Sequence, residues 1–160
     1  MKKIFVFVFL AALIFSCGEK KESPSDKIKR ERKEIAAQKS SQIDNGMGVG
    51  EIMNVTLNNP LDQTMVKRGL AIYDMKCAAC HKLKGSRIVG PSWAGLTSKR
   101  KPEWIMNMIT NVEVMLDKDP TAQKLLEECL TRMPNQNVSI GDSRDVLEFM
   151  YQNDIDNPIK

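Results

Sequence analysis

From Leu61 to the C-terminus the apolar residues recur at helical spacing, and no window alternates apolar with polar as a half-buried strand would. The fold class this predicts is all-α. A first helix is expected from about Asp62 to Lys76, with Met65, Gly69, Ile72, Tyr73 and Met75 available to one side. Gly69 is out of place there: glycine costs about 1 kcal/mol in a helix interior, and close approach of another backbone is the natural reason to keep it. Pro102 opens a second helix whose stripe is Trp104, Ile105, Met108 and Ile109. Asp119-Pro120 starts a third, with Leu125, Leu126, Cys129 and Leu130 inward. Ser139 followed by Asp142 starts a last helix that buries Val146, Phe149 and Met150. About four helices with long loops enclose little. A domain of about 100 residues with so few aliphatic contacts is marginal unless something large and apolar fills its centre.

Upstream the texture is different. Lys2 and Lys3 precede an unbroken apolar run from Ile4 to Phe15, the shape of a secretory signal. As a helix this run reaches only about 18 Å against a hydrocarbon core of about 30 Å, which argues against the alternative of an uncleaved anchor helix. The following Ile14-Phe15-Ser16-Cys17-Gly18 resembles the lipobox of bacterial lipoproteins, which implies a diacylated Cys17 as the first mature residue and a tether to a membrane. Two acyl chains suffice for stable anchoring, since each buried methylene contributes about 0.8 kcal/mol. From Gly18 to about Asn59 the chain is rich in Lys, Glu, Ser and Gln and poor in aromatics, so it is expected to be a flexible tether of roughly 35 Å, with a transient helix between Asp26 and Lys39. The organisation expected is a signal peptide over 1–16, a lipidated and tethered segment over 17–59, and a folded domain over 60–160.

Charge excludes one class of partner. The 160-residue chain carries a net +4, which falls to about +2 once Lys2 and Lys3 leave, too little for a nucleic-acid binder. Of its four cysteines, Cys17 is taken by the lipid, which leaves Cys77, Cys80 and Cys129.

Cys77-Ala78-Ala79-Cys80-His81 is the C-x-x-C-H pattern of covalent haem attachment. Two thiols three residues apart at a helix end reach the two vinyl groups of one porphyrin as thioethers, and the adjacent histidine is then placed beneath the iron. This haem c is the missing core filler. A zinc site would need further ligands, and a thioredoxin-like pair would need a βαβ setting. His81 is the only histidine, so a second histidine ligand from the same subunit is impossible and a methionine is the natural sixth ligand. Met133 stands out because Pro134 follows it and it lies in a loop well downstream of His81. Met106, Met108 and Met150 lie within expected helices, where methionine is usually core filler, and Met115, near a helix end, is the rival.

These residues resemble class I cytochromes c over about Gln63 to Asp154. Gly69-Leu70-Ala71-Ile72-Tyr73 is similar to the family's glycine and aromatic where the first helix crosses the last, here through Val146 and Phe149. Gly90-Pro91-Ser92-Trp93-Ala94-Gly95-Leu96 is similar to the loop whose proline carbonyl takes the proximal histidine's Nδ1 proton, which implies that Pro91 orients His81. Met133-Pro134 is similar to the axial-methionine loop. The resemblance implies a monomeric electron carrier rather than an enzyme, because two strong axial ligands leave no open iron position. Tyr73, Trp93 and Trp104 are expected to line the pocket, with Trp104 as a propionate donor. Cys129 is no family requirement and is read as buried and inert, with a redox role as the alternative.

Lys76, Lys82, Lys84, Arg87, Lys99, Arg100 and Lys101 occur without one acidic residue among them, whereas Glu113, Asp117, Asp119, Glu127 and Glu128 come later. A polarised domain of this kind is expected to steer redox partners to a basic haem edge. The run Arg100-Lys101-Pro102-Glu103-Trp104 to Ile109 resembles small cytochromes associated with periplasmic nitrous oxide reductases. Terminal oxidases and other reductases stay open as acceptors. So does a five-coordinate haem acting as gas or peroxide sensor or enzyme, should Met133 not bind iron.

Overall fold

The structure, a computed structural model, describes residue 23, residues 25–32 and residues 45–158. The expected signal peptide, Cys17 and residues 18–22, 24 and 33–44 of the expected tether lie outside the described residues. The chain divides into two compact units, residues 1–36 and 37–160. In the first, residues 25–32 are helical (α1). Among the described residues no helix is long and apolar enough to cross a membrane, and there is no strand.

The second unit holds α2 (Gln63–Lys76), α3 (Leu96–Lys99), α4 (Pro102–Thr110), α5 (Val112–Lys118), α6 (Pro120–Cys129) and α7 (Ile140–Asp156). The all-α expectation and the starts of the four expected helices agree with this. Asp62 accepts the Thr64 and Met65 N–H groups at 2.7 and 3.2 Å, and those bonds, Met65's first, hold its carboxyl below the ordinary aspartate value. Asp119 accepts the Ala122 N–H at 2.8 Å, and Ser139 Oγ accepts the Asp142 N–H at 3.0 Å.

Two helices add to the four expected. The short α3 follows Gly95, whose φ of +68° suits glycine. Asp154 of α7 secures its entry by accepting Gly95 N–H, Thr97 N–H and Thr97 Oγ at 2.7, 3.0 and 2.7 Å. The other, α5, is split from α4 only by Asn111 (φ −136°, ψ 40°). Two residues placed inward also move out. Leu130 is the left-handed C-cap of α6 (φ 57°) and 88% exposed, and Met75 is 75% exposed.

Gly69 marks where α2 crosses α7. A Cβ there would lie 2.1 Å from the Asp145 carbonyl oxygen and 2.8 Å from Phe149 Cβ. Arg68 locks the crossing with a two-pronged pair to Asp145, at 2.6 and 2.8 Å. Gly69→Ala is therefore expected to cost about 2 kcal/mol or more by overpacking and to lower the melting temperature by roughly 10 °C. An unchanged melt by circular dichroism would show that the helices part at no cost.

The largest departure from expectation lies at residues 45–59, assigned to the flexible tether. They are ordered on the domain. Asn107, 0% exposed, donates to the Met47 and Ile52 carbonyls at 3.0 and 2.9 Å and accepts the Ile52 N–H at 3.2 Å. Asn111 donates to the Val49 carbonyl at 3.1 Å and Glu103 accepts the Val55 N–H at 3.0 Å. The buried Glu148 accepts from Asn58 Nδ2 and the Asp62 N–H at 3.1 and 2.8 Å and pairs with Arg144. Side chains reading a backbone leave no apolar periodicity, and for this reason the segment reads as linker in the sequence.

Candidate metal centre

The helix end builds the site. The Cys77 and Ala78 N–H groups both bond to the Tyr73 carbonyl, and the Cys80 and His81 N–H groups turn back to the Cys77 carbonyl at 3.1 and 2.9 Å. This double turn brings Cys77, Cys80 and His81 to one cleft. Loop residues then clamp it: the Gly90 N–H bonds to the Cys80 carbonyl at 3.0 Å and the Trp93 N–H to the Lys82 carbonyl at 2.9 Å. Tyr73 Oη donates to the His81 carbonyl at 2.7 Å.

The His81 ring is fixed on two sides. Its Nδ1 lies 2.9 Å from the Pro91 carbonyl, an acceptor only, so Nδ1 carries the proton and Nε2 keeps a free lone pair. Burial pushes its pKa below the ordinary value, partly offset by the Pro91 bond, so the ring is neutral as a metal ligand must be. A Cβ on Gly90 would lie 2.3 Å from His81 Cε1, so only glycine lets the loop lie against the ring. The sequence pattern alone assigns Gly90 no such role, although its place directly before Pro91 is a signal for it.

The cleft is apolar. α4 contributes Trp104, Ile105, Met108 and Ile109, α5 contributes Leu116, α6 contributes Leu125 and Leu126, and α7 contributes Met150. The expected site residues Cys77, Cys80, His81, Pro91, Trp93, Trp104 and Met133 all line it. Tyr73 does not. It stands behind the cleft, its ring 4.8 Å from that of Trp93, and acts on His81 through the carbonyl. Trp104 lines the cleft, but its N–H is given to Asp119 at 3.1 Å, so it is not free to be a propionate donor. Met115, the rival ligand, is 0% exposed and outside the cleft, its sulfur accepting the Val49 N–H at 3.0 Å. Met106 is likewise buried away from it. Met108 and Met150 line the cleft from helices, and Met133 lines it from a loop.

Cys77, Cys80 and Cys129 are free thiols, and burial raises the Cys77 thiol to about 11, so it is protonated at neutral pH. Cys129 is half-buried and lines the cleft as well, with the Arg87 guanidinium 3.8 Å from its sulfur. Among the described residues no group of three or more His, Cys, Asp or Glu side chains is arranged to hold a bare metal ion. The residues fit a porphyrin instead: two thiols and a neutral imidazole in the lining of an apolar cleft that draws on six helices, α2 to α7.

The family model for "Cytochrome c" matches residues 66–154, more than half of the chain. The chain belongs to the cytochrome c family. Cytochrome c from Rhodothermus marinus is similar at 28% identity and a TM-score of 0.66, covering 69% of this chain and 95% of that one. An engineered form of that cytochrome, Rma TDE, is similar at 27% identity and a TM-score of 0.65, again over 69% and 95%. The same engineered protein bound to a carbene intermediate matches at 28% and 0.63, with the same coverage. No curated protein matches. As a cytochrome c the chain holds one covalent c-type haem, and haem-based electron transfer is the activity its family supports.

Of the basic run, Lys82, Lys84, Arg87, Lys99 and Lys101 are exposed. Arg87 and Lys99 share one groove with Pro91 at its wall. Not all of the basic run is free. Arg100 is half-buried with its guanidinium 5.3 Å from the centre of the Trp104 ring, and Lys101 Nζ donates to the Asn45 carbonyl at 2.7 Å. Lys76 Nζ donates to the Gln136 carbonyl at 2.9 Å, which ties the end of α2 to the loop after Met133.

Proposed function

We propose that this cytochrome is a one-electron carrier in which His81 and Met133 ligate the haem iron, held on the periplasmic side of a bacterial membrane by lipid on Cys17. The observation that carries the reading is one apolar cleft lined by the two attachment thiols, a neutral imidazole with Nε2 free, and a loop methionine. When bound, haem supplies a one-electron Fe(II)/Fe(III) couple and the rest is the work of side chains. Pro91 and Gly90 hold the His81 ring in one orientation. The thioether of Met133 favours the reduced iron, and the apolar walls disfavour the extra positive charge of the oxidised one. Both raise the reduction potential, so a positive midpoint is expected.

Redox partners with acidic docking patches would meet the exposed Lys82, Lys84, Arg87 and Lys99, with Arg100 and Lys101 committed partly to the fold. A periplasmic reductase is the proposed acceptor, nitrous oxide reductase being the first to test because of the stretch around Trp104.

Potentiometric titration of the native membrane fraction, followed by visible absorption, tests the reading. The oxidised protein is expected to show the weak red band of sulfur-to-iron ligation, and the reduced protein to resist carbon monoxide. Rapid carbon monoxide binding by the native protein would favour the five-coordinate sensor or enzyme. Cys17→Ala is expected to move the cytochrome from the membrane fraction to the soluble periplasm; retention in the membrane would restore the anchor-helix reading.

A further inference from the structure

The strap of residues 45–58 lies across the outer side of α4 and α5, whose inner side is the haem cleft. Glu103, Asn107 and Asn111, at successive four-residue steps of helix and its cap, hold the strap's backbone. Between them, Trp104, Ile105 and Met108 turn to the cleft. The strap also touches the cleft wall from behind. A Cβ on Gly48 would lie 2.7 Å from Met115 Cε and Sδ and 3.2 Å from Trp104 Cδ1, and the Val49 N–H bonds to Met115 Sδ at 3.0 Å. Trp104 and Leu116, the neighbour of Met115, are both cleft residues.

We infer that residues 45–58 are a positioning strap for the haem cleft, pressing Trp104 and α5 inward through Gly48 and Val49 and thereby keeping water off the iron. The inference rests on the electron-carrier reading above. Three features carry it. A side chain between strap and wall must displace what is there: a Cβ on Gly48 (φ +75°) meets the end of Met115, and a Cβ on Gly50 would fall 2.1 Å from Asn107 Oδ1, the atom that accepts the Ile52 N–H. Asn107 spends both ends of its amide on the strap, so lifting the strap strands a fully buried polar group, and the strap leaves as a unit rather than fraying. The strap has no helix or sheet bonds of its own, and among its residues only Ile52 is buried, so its hold depends on these few polar bonds.

A strap that merely stabilised the fold would change the melting temperature alone. A strap that positions the wall changes the haem as well. The test uses the full-length holoprotein with Gly48→Ala, Asn107→Ala and the milder Asn111→Ala, which removes one bond at a half-buried position and keeps the comparison alive if the others do not accumulate. Gly85→Ala is the control: Gly85 has φ +83° and nothing within 4 Å of its Cβ position, so the substitution strains backbone away from the strap. The strap variants are expected to show a lower midpoint potential and carbon monoxide uptake by the reduced form faster by about tenfold, equivalent to about 1.4 kcal/mol on opening of the cleft. Gly85→Ala is expected to shift neither. Strap variants that melt earlier yet keep the native midpoint would overturn the inference. Native protein that takes up carbon monoxide without delay would instead sink Met133 as ligand, and the midpoint comparison would still decide the strap.

Discussion

Replacing Cys77 and Cys80 together by alanine is expected to give a colourless chain whose fold is much weakened. The reason lies in how the core is distributed. α6 buries only Ala122 fully, while Leu125 and Leu126 face the cleft, and α4, α5 and α7 turn Ile105, Ile109, Leu116 and Met150 to the same space. A fully buried aliphatic side chain contributes about 1.5–3 kcal/mol; Ile105, Ile109, Leu116 and Met150 are buried by protein alone, whereas Leu125 and Leu126 are half-buried, so losing the porphyrin face is expected to remove on the order of a few kcal/mol. The whole stability of a domain is about 5–15 kcal/mol. Haem staining of a denaturing gel reads the covalent bond, and far-ultraviolet circular dichroism reads the fold. A double variant with native helicity and a native melt would mean that the helices pack without the cofactor.

Met133→Ala has a different signature. The fold is expected to survive, because Met133 sits half-buried in a loop while Lys76 still holds that loop through the Gln136 carbonyl. The iron is not expected to keep its sixth ligand. Axial ligands tune haem potentials over a range of about 0.8 V, so loss of a thioether is expected to lower the midpoint by on the order of 0.1 V or more. The red band disappears and the reduced protein binds carbon monoxide. An unchanged spectrum would pass the role to Met108 or Met150, the other methionines of the cleft.

The parts of this architecture that are legible in the sequence are those with local chemistry. Asp62, Pro102, Asp119 with Pro120, and Ser139 announce helix starts through bonds made within a turn, and the motif from Cys77 to His81 announces its cofactor by spacing alone. What escapes is set by distant partners. α3 depends on Asp154, which lies 57 residues beyond Thr97 in the chain. The break between α4 and α5 carries neither proline nor glycine, and Asn111 makes no side-chain cap there. The strap escapes for the same reason as α3, since Asn107 reaches back 55 residues to Ile52. Tyr73 belongs at the level of the fold where the sequence places it, but it does different work there. An aromatic near the motif is as compatible with bracing the His81 carbonyl as with touching the porphyrin.

The basic face is also narrower than the charge pattern implies. Arg100 rests on Trp104 and Lys101 is tied to Asn45, so both residues serve the wall and the strap before any partner arrives. The exposed positive charge tied to neither wall nor strap is on Lys82, Lys84, Arg87 and Lys99, of which Arg87 also donates to the Glu128 carbonyl at 2.6 Å.

Asp119 has one further consequence. Its single Oδ1 accepts both the Trp104 indole N–H and the Ala122 amide, so the cleft wall at Trp104 and the base of the helix leading toward Met133 are riveted at one atom. Electron hopping is fastest when the surroundings barely rearrange as iron changes charge. A joint that makes two sides of the cage shift together or not at all keeps that reorganisation small.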